Sequence, residues 1–300
     1  VSVMTKKQVW CRVAGTIFAV GTVVAVLGAC SSTDSSPAPV IESLTGSDLT
    51  STPAVPAPDW GHIHGLSFLD DVLFIGSHGG FWRQSPQQEL VLLSQPVFDV
   101  MGLSRTGDRW LASGHPGPDM NAPSDLGLIE SLDNGVTWKN VSLSGQVDFH
   151  RLVAAGDVLM GVAAANNALM RSTDGGTTWN NLGTPPIFDL AINPTNVSTI
   201  MATTENGTVM STDGGTAFIP VSTPAQLMLL SWSMEGLYAA TVDGQILFST
   251  DSGANWDSRG TLGGQPMALA ADAGNVVGAV DHSIFTSTDG GITFTERITG

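Results

Sequence analysis

The sequence predicts an all-β fold, a single β-propeller of six four-stranded blades (seven being the alternative count), preceded by a lipoprotein signal and a disordered linker. Three observations predict it. The 300 residues include 35 Gly and are only 13% charged, which favours a turn-rich β fold over helices. An eight-residue segment recurs five times: "SLDNGVTW" from Ser131, "STDGGTTW" from Ser172, "STDGGTAF" from Ser211, "STDSGANW" from Ser249 and "STDGGITF" from Ser287. The copies start 41, 39, 38 and 38 residues apart, and a period near forty with short alternating apolar runs is the signature of propeller blades.

Taken in order, residues 1–29 read as an export signal. Lys6, Lys7 and Arg12 precede the apolar run Val13 to Leu27, which is shorter than a membrane span needs. The run closes on Leu27-Gly28-Ala29-Cys30, which resembles the lipobox that bacteria cleave before a lipidated cysteine; an uncleaved signal anchor is the alternative. Cleavage would remove Cys11 and leave Cys30 as the only thiol, acylated, so no disulfide is expected. It would also remove three cations and no anions, taking the formal charge from −16 to −19. A body this acidic is repelled by nucleic acid and anionic headgroups, so membrane attachment is expected only through the lipid on Cys30. Residues 30–59 are rich in Ser, Thr and Pro and read as a disordered spacer.

The propeller is expected over 60–300. Blade one reads as "HIHGLSF", "VLFIGS", "GFWRQ" and "ELVLLS", and blade two as "FDVMGL", "RWLAS", "LGLIES" and "TWKNVSL". Blade three begins "FHRLVA", blade four "IFDLAI", blade five "LMLLSW" and blade six "PMALAA". No strand that would close the ring from the N-terminus is visible, and "VIESLT" from Val40 is a weak candidate.

The run S-x-D-x-G-x-T-W resembles the Asp-box, or BNR repeat, of sialidases, sortilin-type receptors and some endoglucanases. The resemblance covers the chain from about residue 130 onward and implies a turn between third and fourth strands. There Asp133, Asp174, Asp213, Asp251 and Asp289 would lie on the outer rim. A motif repeated around a ring offers no single asymmetric site, so these acids are assigned a structural role.

Chemistry is expected instead at one mouth of the channel, where inner strands begin and second strands end. His62, His64, His78, His115 and His150 fall at such places in the first three blades, and His282, in blade six, reads as structural. His62 and His64 share a strand face; a three-residue turn would set His62 opposite His78, and a two-residue turn would put His78 beside Ile63, still within the cluster. Imidazoles there, His62, His64 and His78 first, suit a divalent transition metal such as Zn²⁺ or Cu²⁺. Asp99, Asp148 and Asp189, read as equivalent heads of inner strands, and Asp119 are the carboxylates from which a catalytic pair could be drawn. The segment "GHPGPDMNAPSD", Gly114 to Asp125, is the longest insertion and reads as a lid or ligand wall.

"WGHIHGL" with "GSHGGFWR" further resembles the first blade of exported bacterial propellers described as glycosyl-hydrolase-like. Sialidase machinery is not matched: the Arg-Ile-Pro motif is absent and the only tyrosine, Tyr238, lies mid-strand, so an exo-sialidase is not expected. Three readings remain. One is a monomeric propeller, anchored to the outer face of the cell membrane, that binds a glycan, peptide or partner protein at its mouth. The others are a glycoside hydrolase using the inner-strand acids and a metal-binding propeller using the histidines.

Overall fold

The computed structural model describes residues 54–85 and 89–300, and every regular element among them is a β-strand. The signal segment, Cys30, most of the linker and "VIESLT" lie outside the described residues. Six antiparallel four-stranded meanders follow one another in chain order. Blade one comprises Ile63–Leu69, Val72–Ser77, Gly80–Gln84 and Leu90–Leu92. Blade two comprises Asp99–Thr106, Arg109–His115, Leu128–Ser131 and Lys139–Ser142. The inner strands of blades three to six are Phe149–Ala155, Ile187–Ile192, Leu227–Trp232 and Pro266–Asp272, and the blade count is six.

Burial follows the layering. A blade is covered on both faces by its neighbours, so second strands such as Ile200–Thr204 and Leu237–Thr241 are buried at every residue. That double coverage selects continuous apolar runs there. Outer strands such as Asn180–Asn181 are short and exposed.

The ring closes in two ways that the sequence pattern does not display. Val55–Pro56, counted above with the linker, adds in parallel to Thr295–Thr299, the outer strand of blade six, through Val55↔Ile298 and Pro56↔Thr299. Proline is tolerated there because the strand is an edge. Beneath it, Trp60, Ile63 and Leu73 of blade one share one core with Val277, Ala279 and Ile298 of blade six.

Each inner strand carries a one-residue bulge near its start, at His64, Met101, His150, Phe188, Met228 and Met267. A bulge leaves one residue unpaired and bends the strand, which re-aims the side chains beside it. Two residues beyond each bulge stands a leucine: Leu66, Leu103, Leu152, Leu190, Leu230 and Leu269. These six line the central channel, bordering both a recess of about 80 Å³ on the bulge side and one of about 180 Å³ on the other.

Candidate functional site

The five repeated turns share one hydrogen-bond plan. In each, the serine hydroxyl accepts from the glycine N–H four residues on at 2.8–2.9 Å and donates to the aspartate at 2.6–2.9 Å. The aspartate accepts from the N–H four residues further, from Thr137, Thr178, Ala217, Asn255 or Thr293. Its second oxygen takes the side chain of that residue, except at Asp213, where Ala217 has none to give. The glycine stands at φ between 82° and 92°, and a Cβ on Gly135 would lie 2.0 Å from Phe81. These bonds favour the carboxylate: the Thr137 and Thr178 hydroxyls hold Asp133 and Asp174 at about 2, and the Asn255 amide does the same for Asp251.

The mouth is built differently, from the register of single strands. Blade one turns through two residues, Asp70 and Asp71, pairing Leu69 with Val72. Of the two turn lengths the spacing allows, the two-residue one is present, and the bulge at His64 shifts the register so that the His78 N–H donates to the His62 carbonyl at 3.1 Å. Two glycines let the backbones meet. Gly61 sits at φ +64°, and a Cβ on Gly79 would be 2.8 Å from the Trp60 Cα.

Three imidazoles consequently converge. The His64 ring lies 4.7 Å from both the His62 and His78 rings, and His62 and His78 are 6.2 Å apart between ring centres. His64 Nε2 and His78 Nε2 are 3.3 Å apart, and His78 Nδ1 lies 2.9 Å from Asp99 Oδ2. The other Asp99 oxygen is buried without a hydrogen-bond partner. Burial, then the His62 and His78 charges, depress His64 to about 3, so its imidazole is neutral across the physiological range. Burial, then His78, lowers His62 as well.

Across the mouth, Asp148 lies between two further histidines, with His150 Nε2 at 3.0 Å and His115 Nε2 at 3.4 Å from its Oδ2. Neither approach has hydrogen-bond alignment, and both Asp148 oxygens are buried without a hydrogen-bond donor. Burial opposes protonation of His115, but the Ser124 carbonyl together with Asp148, Asp99 and Asp125 outweighs it and raises the pKa. The Ser124 contact, His115 Nδ1 to carbonyl at 2.9 Å, pins the long insertion to its own blade. Met120 and Ala122 pack that insertion onto the blade-one and blade-two core. Asp119 is exposed on it and enters none of these contacts.

Asp189 departs from the expected equivalence. Aligned on the bulges, Asp99 and Asp148 precede theirs by two residues, whereas Asp189 follows its own by one. It points into the wall, accepting from the Leu230 N–H of blade five at 2.7 Å, with Arg151 Nε 3.4 Å away. Burial raises its pKa against the pull of Arg151. Two open recesses flank the mouth. One of about 470 Å³ is lined by His115, Asp125, Asp148 and His150, and one of about 300 Å³ by His62, His64, His150, Arg151 and Phe188. His282 is exposed and close enough to His62 to depress it by charge.

Arg151 and Phe188 escaped the reading by residue type, although a signal existed. The tripeptides His64-Gly-Leu, Met101-Gly-Leu, His150-Arg-Leu, Phe188-Asp-Leu, Met228-Leu-Leu and Met267-Ala-Leu repeat the bulge, the wall residue and the leucine.

No protein-family profile matches the chain, and no curated protein sequence does. Solved structures do match. A chain of a nidogen/laminin complex aligns with a TM-score of 0.55 at 11% identity, over 72% of this chain and 88% of that one. The GH74 xyloglucanase from Xanthomonas campestris aligns at 0.54 and 16% identity over 81% of this chain, which spans 46% of that enzyme's chain. YCF48 from Cyanidioschyzon merolae aligns at 0.49 and 17% identity, over 81% and 87%. At such identities the nidogen/laminin and xyloglucanase alignments show a likeness of fold alone.

Proposed function

We propose that this chain is an exported propeller, held at the outer face of the cell membrane by a lipid on Cys30, that binds a glycan, a peptide or a partner protein at its histidine-bearing mouth. The observation behind this reading is Asp148, whose two buried oxygens lack hydrogen-bond donors while facing a recess of about 470 Å³. Buried acceptors are normally satisfied, and an unmet carboxylate is suited to a ligand that brings hydroxyl, amide or ammonium hydrogens. In the adjoining recess, Arg151, already paired with Asp189, adds a cation and Phe188, 55% exposed, an apolar platform. Binding is favoured over glycoside hydrolysis because two of the three inner-strand acids are engaged within the protein, Asp99 by His78 and Asp189 by Leu230 and Arg151, which leaves Asp148 no inner-strand carboxylate to pair with. The repeated turns fit the Asp-box type in their Ser–Asp–Gly bonding and serve as blade fasteners in this reading.

Arrays of envelope glycans and peptides, probed with the tag-free full-length protein, test the proposal. A ligand of the mouth should lose at least roughly ten-fold in affinity with Asp148→Asn and with Arg151→Ala, as expected when a charged hydrogen-bond partner is removed. The rim variant Asp133→Asn should bind as wild type. A ligand whose affinity ignores both mouth variants would overturn the assignment. Cys30→Ala should release the protein from the membrane fraction or block its processing, and unchanged fractionation with normal processing would remove the anchor.

A further inference from the structure

We infer that His62, His64 and His78 form a binding site for one divalent transition-metal ion, with Asp99 orienting His78 from behind. The site uses different residues from the Asp148 recess. Its geometry is that of ligands rather than of a packed core. Two imidazole nitrogens bound to one tetrahedral ion at about 2.0–2.1 Å stand about 3.3 Å apart, and the three rings of a His₃ set have centres about 5 Å apart. The observed nitrogen separation is 3.3 Å, and the ring separations of 4.7, 4.7 and 6.2 Å bracket that spacing. His64, His78 and Asp99 already offer ligand atoms lying within 4.8 Å of one another; His62 stands outside that set, exposed, with its ring centre 4.7 Å from that of His64.

The second observation is the Asp99 contact. A metal-binding histidine characteristically donates its other ring N–H to a carboxylate, which fixes the tautomer and leaves a lone pair for the ion. His78 Nδ1 at 2.9 Å from Asp99 Oδ2 is placed for that donation, and it frees Nε2, the atom facing His64. Asp99 belongs to blade two and His78 to blade one, so the pair also bridges two blades. Without a cation, the same 3.3 Å nitrogen separation accommodates a hydrogen bond in which one imidazole donates and the other accepts. Neutral nitrogen donors select borderline ions, Zn²⁺ or Cu²⁺, over Mg²⁺ or Ca²⁺. Three protein ligands leave a fourth position open to the mouth.

The test is metal titration of the tag-free, full-length protein after treatment with a chelator, using Zn²⁺ by competition and Co²⁺ by visible absorption. The wild type should bind one ion and give the intense absorption of tetrahedral Co²⁺. His64→Gln and His78→Gln should each lose at least about 100-fold in affinity, and Asp99→Asn about 10–100-fold while keeping the one-ion stoichiometry. His282→Ala and Asp148→Asn should titrate as wild type, which separates this site from the ligand recess. Melting curves of the metal-free variants verify that the fold is intact. A wild type that binds no ion, or folded His64 and His78 variants that bind as tightly as wild type, would overturn the inference. Loss of ligand binding on Asp148→Asn would stand regardless.

Discussion

Ser172 is fully buried, and its hydroxyl does three things at once: it accepts from the N–H groups of Asp174 and Gly176 and donates to the Asp174 carboxylate. Ser172→Ala leaves the buried Gly176 N–H without an acceptor. Chemical denaturation should show a loss of about 1–3 kcal/mol, the cost of an unsatisfied buried donor. The mouth should not sense it, since the turn lies at the far end of the blade from the inner strands. Single residues were legible from the sequence where a pattern repeats or where a scarce residue type falls at strand ends, as the five mouth histidines do. The five serines and aspartates stood out by period, whereas Arg151 and Phe188 each occur once at their place in the ring. Asp189 misled for a related reason: its type matched Asp99 and Asp148, but the bulge register places it three positions further along.

The repeated turn is an element with one natural gap. Asp213 lacks the second side-chain bond because Ala217 stands where Thr137, Thr178 and Thr293 stand in other copies. Ala217→Thr should supply that hydroxyl, lower the Asp213 carboxyl further, and raise the melting temperature. NMR titration of the Asp213 carboxyl measures it. The sign follows from linkage. A carboxyl whose pKa is lower folded than unfolded stabilises the fold above the unfolded value of about 4, and this is lost as pH falls toward about 2. The gain from Ala217→Thr should therefore be present at pH 7 and vanish in that acid window. Strands were legible as alternating runs, blade one included, although it lacks the turn. Bulges were not, because a bulged residue leaves the apolar pattern on either side intact and shifts only what lies opposite.

At the scale of the ring, closure rests on side chains more than on strand exchange. Val55–Pro56 contributes a two-residue edge, while Trp60 is fully buried between the first and last blades and meets Trp82 edge-on at 6.2 Å. Trp60→Ala should cost about 3–5 kcal/mol, within the range for deleting a large buried aromatic. Removing the edge strand should cost much less, and thermal unfolding of the two variants compares them. The blade count was legible because it is a period. The means of closure was not, since it joins residues more than two hundred positions apart with no local signature.

The ring of six leucines has a kinetic consequence. Apolar side chains from all six blades stand at one level of the channel, between recesses of about 80 and 180 Å³, as a hydrophobic collar. A polar guest of the histidine face would have to shed its water to pass that collar, so its favoured way out is the face by which it entered. A bulky partner seated on that face would hold any smaller guest beneath it captive until the partner itself departs.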